Sequence, residues 1–175
     1  MDRGKLVLDY SINNSDSRLS NAATVNLRGG ILELAGNAGA PTSETALSLT
    51  MVRAHSTLSL LSNGGQTVTL NLTSGLVRAV STGVVNFATN DPANAVFTVG
   101  GGAANNSAGI LGGWATYNGD RWATRNGSNQ IVAHAGTVQN DKQLWTAADH
   151  VIIDGATTGL VQTGEISSLI LDSGS

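Results

Sequence analysis

Apolar and polar residues alternate along almost the whole chain. Leu6-Val7-Leu8, Val25-Asn26-Leu27, Ile31-Leu32-Glu33-Leu34, Leu47-Ser48-Leu49 and Leu58-Ser59-Leu60 are short runs of this kind. Val68-Thr69-Leu70-Asn71-Leu72, Val84-Val85-Asn86-Phe87 and Val96-Phe97-Thr98-Val99 continue them. A period of two places Leu or Val on one face of a strand and Thr, Ser, Asn or a charge on the other. Gly, Asn, Ser or Asp bounds each run and supplies the left-handed backbone positions and side-chain caps of tight turns. No i, i+3, i+4, i+7 stripe is sustained, and the best helical candidate, residues 141–149, is short and poorly capped. The pattern predicts an all-β chain.

The strands also repeat. Gly4-Lys5-Leu6-Val7-Leu8 returns 26 residues later as Gly30-Ile31-Leu32-Glu33-Leu34, and another glycine-initiated strand begins at Gly65. Rungs of roughly 20–26 residues are the period of a β-solenoid, whose turns stack about 4.8 Å apart. An antiparallel sandwich also gives many short strands. Aromatic residues at only 4%, and a polar face of Thr, Asn and Ser suited to stacked ladders, favour the solenoid. The predicted interior ladder is Leu6, Leu8, Leu32, Leu34, Leu47, Leu49, Leu58, Leu60, Val68, Leu70 and Leu72, which share parity within their strands.

The texture changes near Gly100. The chain reads as one solenoid domain, residues 1–175, with regular rungs over 1–99. A glycine-rich connector and Trp-containing hairpin follow over 100–148, then terminal rungs over 149–175. Asn118-Gly119 is a two-residue hairpin signal of type I′. It would pair Tyr117 with Asp120 and Ala115 with Trp122, leaving Trp114 and Trp122 on opposite faces. The two ends echo each other: Leu6-Val7-Leu8-Asp9 resembles Leu169-Ile170-Leu171-Asp172. Neither end shows a capping helix, a proline or a charge cluster, so head-to-tail contact through Leu6, Leu8, Leu169 and Leu171 is expected.

Leu6-Val7-Leu8-Asp9-Tyr10-Ser11, Asn13-Asn14-Ser15, Arg18-Leu19 and Gly29-Gly30-Ile31-Leu32-Glu33-Leu34 resemble the autotransporter-associated beta strand repeat. That repeat is found in very long bacterial surface and secreted proteins. Gly109-Ile110-Leu111-Gly112-Gly113-Trp114-Ala115-Thr116 with Asp120-Arg121-Trp122-Ala123 is similar to a block recurring in them. The resemblance implies a right-handed parallel β-helix, export, and a role as stalk, adhesin or matrix fibre. It brings no catalytic residues. The chain departs from the family in length, and it carries neither a translocator barrel nor an export signal.

Composition narrows the chemistry. With 9 Lys+Arg against 12 Asp+Glu and a net charge of −3, and with basic residues scattered singly along the sequence, nucleic acid is not an expected partner. No apolar run is long enough for a membrane-spanning helix. Zero Cys excludes disulfides, thiolate metal sites and a cysteine nucleophile. With abundant Thr, Asn and Gly and only 2 Lys beside 7 Arg, it favours an extracellular or bacterial cell-surface location. His55, His134 and His150 lack metal-ligand spacing, and Gly100-Gly101-Gly102 lacks the Lys-Ser/Thr of a phosphate loop. Asp149, Asp154 and Glu165 with Lys142 and His150 form the densest acidic set. Paired carboxylates could cleave a polysaccharide, but Asp149 and Asp154 differ by an odd number and read better as strand-end residues. Trp114, Tyr117, Trp122 and Trp145 could stack on sugar rings, and they could equally pack a solenoid end. The resulting expectation is a non-enzymatic structural module of a surface fibre, with no cofactor, that associates with itself. A glycan-binding adhesin is the alternative, and a polysaccharide-cleaving enzyme is the weaker third reading.

Overall fold

Each alternating run forms a strand that pairs with the strand one turn further along the chain. The computed structural model describes residues 3–15, 17–79, 82–138, 150–153 and 168–171, and within them lie fourteen strands and no helix. β1 (Lys5–Asp9), β3 (Gly30–Ala35), β5 (Ala54–Leu61), β7 (Gly83–Thr89) and β9 (Ala115–Tyr117) stack in parallel as a first wall. β2 (Thr24–Leu27), β4 (Thr42–Met51), β6 (Val68–Arg78) and β8 (Ala95–Val99) stack as a second. The chain visits the walls alternately, so two strands complete a turn, and about four turns form a β-solenoid.

Register sets the core. Leu6 lies opposite Leu32, Leu32 opposite Leu58, Leu58 opposite Phe87 and Phe87 opposite Tyr117. The turn is therefore 26 residues long twice, then 29 and then 30, longer than the sequence repeat suggests. On the second wall Glu44, Leu70, Phe97 and Ile131 form a column. The walls meet where Phe87 and Phe97 pack edge to face, centroids 5.2 Å apart at 75°. Leu32, Leu34, Leu58, Leu60, Val68, Leu70 and Leu72 are all buried as expected, each worth about 1.5–3 kcal/mol.

Two members of the expected ladder differ. Leu6 belongs to the inward column but stands on the first turn, with no strand beyond it among the described residues, and is 42% exposed. Leu47 faces outward, at 38% exposure, because it continues the alternation in which Thr42, Glu44 and Ala46 face inward, and the register slips beside it. Ala46 pairs with Leu72 and Ser48 with Gly75, so Thr73 and Ser74 together oppose Leu47. Such a bulge reverses the parity downstream of it. Gly75 makes the bulge possible: its φ is +94°, and a Cβ there would sit 1.6 Å from the Gly101 carbonyl oxygen. Gly100 donates its N–H to Leu72 O at 2.8 Å. The glycine run expected to be a connector is thus a packed corner laid on the bulge of the turn before.

Asparagines tie successive turns at the opposite corner. Asn37 Nδ2 donates to Tyr10 O (3.0 Å), Asn90 Nδ2 to Ser62 O (2.9 Å), and Thr89 N–H to Asn118 Oδ1 (2.8 Å). Each bond crosses one turn and satisfies a backbone group that the strand ladder leaves unpaired.

The coil then stops in an antiparallel meander. β10 (Arg121–Arg125) pairs with β9, β11 (Gln130–Ala133) pairs with β10, and β11 also pairs antiparallel with β8. These two strands bridge the walls and close the fourth turn. The β9–β10 loop has three residues rather than two, because Tyr117 pairs with Arg121 and Trp122 with Thr116. Ala115, Tyr117 and Ala123 are consequently buried together, and Trp122 lies on the other face beside Thr116. Parallel pairing resumes in β12 (Thr137–Val138), β13 (His150–Ile153) and β14 (Ser168–Leu171), a separate three-stranded sheet.

The bulge makes a direct test of register. Leu58→Ala should destabilise the fold by about 2–5 kcal/mol, and Leu47→Ala by less than about 0.5 kcal/mol, in chemical denaturation. Equal losses would show that the two leucines share an environment.

Candidate functional site

The first turn carries the most unusual chemistry. β2 covers only the second half of β4, and the loop 10–23 covers the first half. Glu44 occupies an inward position that hydrophobic residues fill on the later turns, and it is fully buried. A buried carboxylate requires donors, and the loop supplies them. The Tyr10 hydroxyl and the Arg18 (2.9 Å) and Leu19 (3.3 Å) N–H groups donate to Glu44 Oε2. Thr45 N–H donates to Oε1 at 3.1 Å. The Arg18 guanidinium lies over the Tyr10 ring, 4.6 Å from its centroid, and Asn14 ties the loop to Pro41 O and Thr42 Oγ1. The loop is therefore a cap locked by one acid, which corrects the expectation that the first turn is uncapped; the expectation for the other end falls on residues 172–175, which lie outside the described residues. The meander at the fourth turn is the second cap.

What remains open is the edge of β1. It has no partner on its far side among the described residues, and Leu6 and Val7 are each 42% exposed there. Leu8 is buried at 7%. Lys5 Nζ meets Glu33 Oε1 at 2.8 Å on the outer face. Leu169 and Leu171 lie on β14, in register with Val151 and Ile153, in a different sheet from Leu6 and Leu8.

The described aromatic residues do not all reach the surface. Tyr117 is 5% exposed and ends the Leu6–Leu32–Leu58–Phe87 column. Trp114 packs on the core edge with the Arg78 guanidinium 5.8 Å from its ring. Trp122 is half-buried, and its Nε1 has no acceptor among the described residues. Trp145 lies outside the described residues, as do Lys142, Asp149, Asp154 and Glu165; His150 is placed only as a position on β13. Among the described residues no three His, Cys, Asp or Glu come together as metal ligands.

The outer face of the second wall presents stacked polar residues. Thr98 Oγ1 donates to Asn71 Oδ1 and Asn71 Nδ2 to Ser43 Oγ (3.2 Å). On the first wall Thr116 Oγ1 donates to Asn86 Oδ1 (3.1 Å). Thr45, Asn71, Thr98 and Asn129 border a shallow groove of about 500 Å³. These ladder residues hydrogen-bond one another from turn to turn.

No protein-family model, no curated protein and no solved structure matches the chain.

The Tyr10–Glu44 lock has a pH signature. Burial, and then the carboxylate it bonds, raise the Tyr10 phenol far above its ordinary value of 10.0. Above about pH 10 the unfolded chain loses a proton that the folded chain keeps, so stability complete below that pH falls as pH rises. Burial raises Tyr117 in the same direction. Denaturation curves should therefore show alkaline loss that Tyr10→Phe reduces without abolishing. Glu44→Leu, which leaves four donors without their acceptor, should cost about 1–3 kcal/mol at neutral pH.

Proposed function

We propose that this chain is a non-enzymatic structural module of a bacterial extracellular or cell-surface fibre, built to be extended by further parallel rungs. The open edge of β1 carries the reading. A parallel strand edge with a row of unpaired N–H and C=O groups and half-exposed Leu and Val templates another strand. Leu6 continues the apolar column below it, so an added rung with Leu or Val in register would bury it completely. The added rung comes from a second copy or from a neighbouring repeat in the same polypeptide. Its contact is heterologous and propagates unless the rotation closes a ring.

Three features support the fibre assignment. The resemblance to the autotransporter-associated repeat points to export and to long β-helical stalks. The absence of cysteine and the neutral Thr/Asn/Ser exterior suit a protein that crosses a membrane unfolded and then stands in water. Its stability resides in stacked backbone pairing and apolar columns, which need no cofactor.

Light scattering on the purified chain across a concentration series checks the proposal. Self-association that grows with concentration and is lost in Leu6→Lys is expected. A strictly monomeric species at high concentration, unchanged by deleting residues 166–175, would refute it.

A further inference from the structure

At the asparagine corner of the last turns, the β7–β8 loop and the β9–β10 loop face one hollow. It measures about 410 Å³, with Pro92, Val132 and Ala133 as its apolar sides and Tyr117, Asn118, Asp120 and Arg121 as its polar ones. A recess of about 120 Å³ adjoins it through the shared Pro92, Tyr117 and Val132, and reaches Ile131. The outer hollow has the size of small-molecule sites, about 300–1,000 Å³.

The β9–β10 loop is pinned to the turn before it. Asn118 N–H donates to Phe87 O at 2.8 Å, and Thr89 N–H donates to Asn118 Oδ1 at 2.8 Å. Asp120 and Arg121 follow on the rim, where Arg121 Nη1 lies 3.9 Å from Asp120 Oδ2 and donates to Asp120 O at 3.1 Å. Tyr117 is the unusual member. A buried tyrosine ordinarily finds a partner for its hydroxyl, as Tyr10 finds Glu44. Tyr117 is buried too, yet among the described residues its hydroxyl has no hydrogen-bond partner. Among those residues the buried polar atom closed to both protein and solvent is Trp122 Nε1. The Tyr117 hydroxyl therefore keeps contact with solvent, through the hollows that the residue lines. Burial raises its phenol above the ordinary 10.0, so at neutral pH it both donates and accepts.

We propose that this hollow binds a neutral hexopyranose, its C–H face on Pro92 and Val132 and its hydroxyls on Tyr117, Asp120 and Arg121. A sugar hydroxyl donates and accepts at once, and the lining offers both halves: the Asp120 carboxylate accepts, the Arg121 guanidinium donates, and the Tyr117 phenol does either. Bonds to the two ionised groups are the stronger ones. The lining holds one acid and one base, already paired with each other. An anion or a cation would match only one of them, whereas an uncharged polyol bonds both without parting them. The site lies within one chain, so the assignment stands or falls independently of self-association.

Chemical-shift titration by NMR tests it, with glucose, galactose, mannose, maltose, lactose, glucuronate and the dipeptide alanyl-alanine as probes. Saturable shifts with at least one neutral hexose are expected, centred on Tyr117, Asp120 and Val132. Tyr117→Phe should lower that affinity about threefold to tenfold and Asp120→Asn about tenfold, while Arg28→Gln on an early turn should change nothing. Tyr117→Phe should also leave the denaturation midpoint at pH 7 where it was, because the hydroxyl bonds nothing in the fold. A disaccharide that binds at least as tightly as its hexose marks the end of a glycan as the ligand, and one that binds more weakly marks a free sugar. No saturable shift with any neutral sugar, undiminished binding in Tyr117→Phe/Asp120→Asn, or an equal loss in Arg28→Gln would overturn the assignment. Tighter binding of glucuronate or of the dipeptide than of every neutral sugar would overturn its choice of ligand.

Discussion

A parallel ladder places every side chain beside its counterpart one turn away, at the spacing of a single backbone hydrogen bond. Everything else in this protein follows from that adjacency. Where the counterparts are apolar, as in Leu6, Leu32, Leu58 and Phe87, the column becomes a core without any need for large aromatic residues. Where they are Thr and Asn, as in Asn71 and Thr98, they satisfy each other and keep the outer face neutral. Where a charge stands on the outer face it can meet an opposite one on the next turn, as Lys5 meets Glu33.

Adjacency also defines what an end must do. A coil of this kind leaves strand edges and an apolar cross-section at each terminus, and this chain treats its two ends differently. The fourth turn is closed by reversing strand direction, so that β10 and β11 join the two walls. The first turn is closed over its second wall alone, by a loop whose amides and tyrosine converge on Glu44. Among the described residues the first wall stays open at β1. Asymmetry of this sort gives the module a polarity that a pile of identical rungs would lack.

Much of the architecture was legible in the sequence because period two and a repeat near 26 residues are direct images of strand parity and turn length. The bulge at Thr73–Gly75 was not legible. A single slipped residue leaves the local alternation intact on both sides, and only the partner strand reveals it. The same blindness moved the Asn118 loop by one residue and put Trp122 on the wrong face. Glu44 sits in an ordinary alternating run, and its partners come from a loop with no periodicity, so nothing local marked it as buried.

The turns are not interchangeable in length. They run 26, 26, 29 and 30 residues along the first wall, and the corner asparagines reach back 27, 28 and 29 residues. A repetitive coil risks folding with one rung skipped or docked against the wrong neighbour, since every rung offers nearly the same face. Graded spacing works against that error as a vernier does: a strand paired one turn out of place brings its apolar residues close to alignment while its corner asparagine misses its carbonyl and its glycine meets a side chain. The small irregularities between turns thus act as position marks, telling each rung which neighbour is its own.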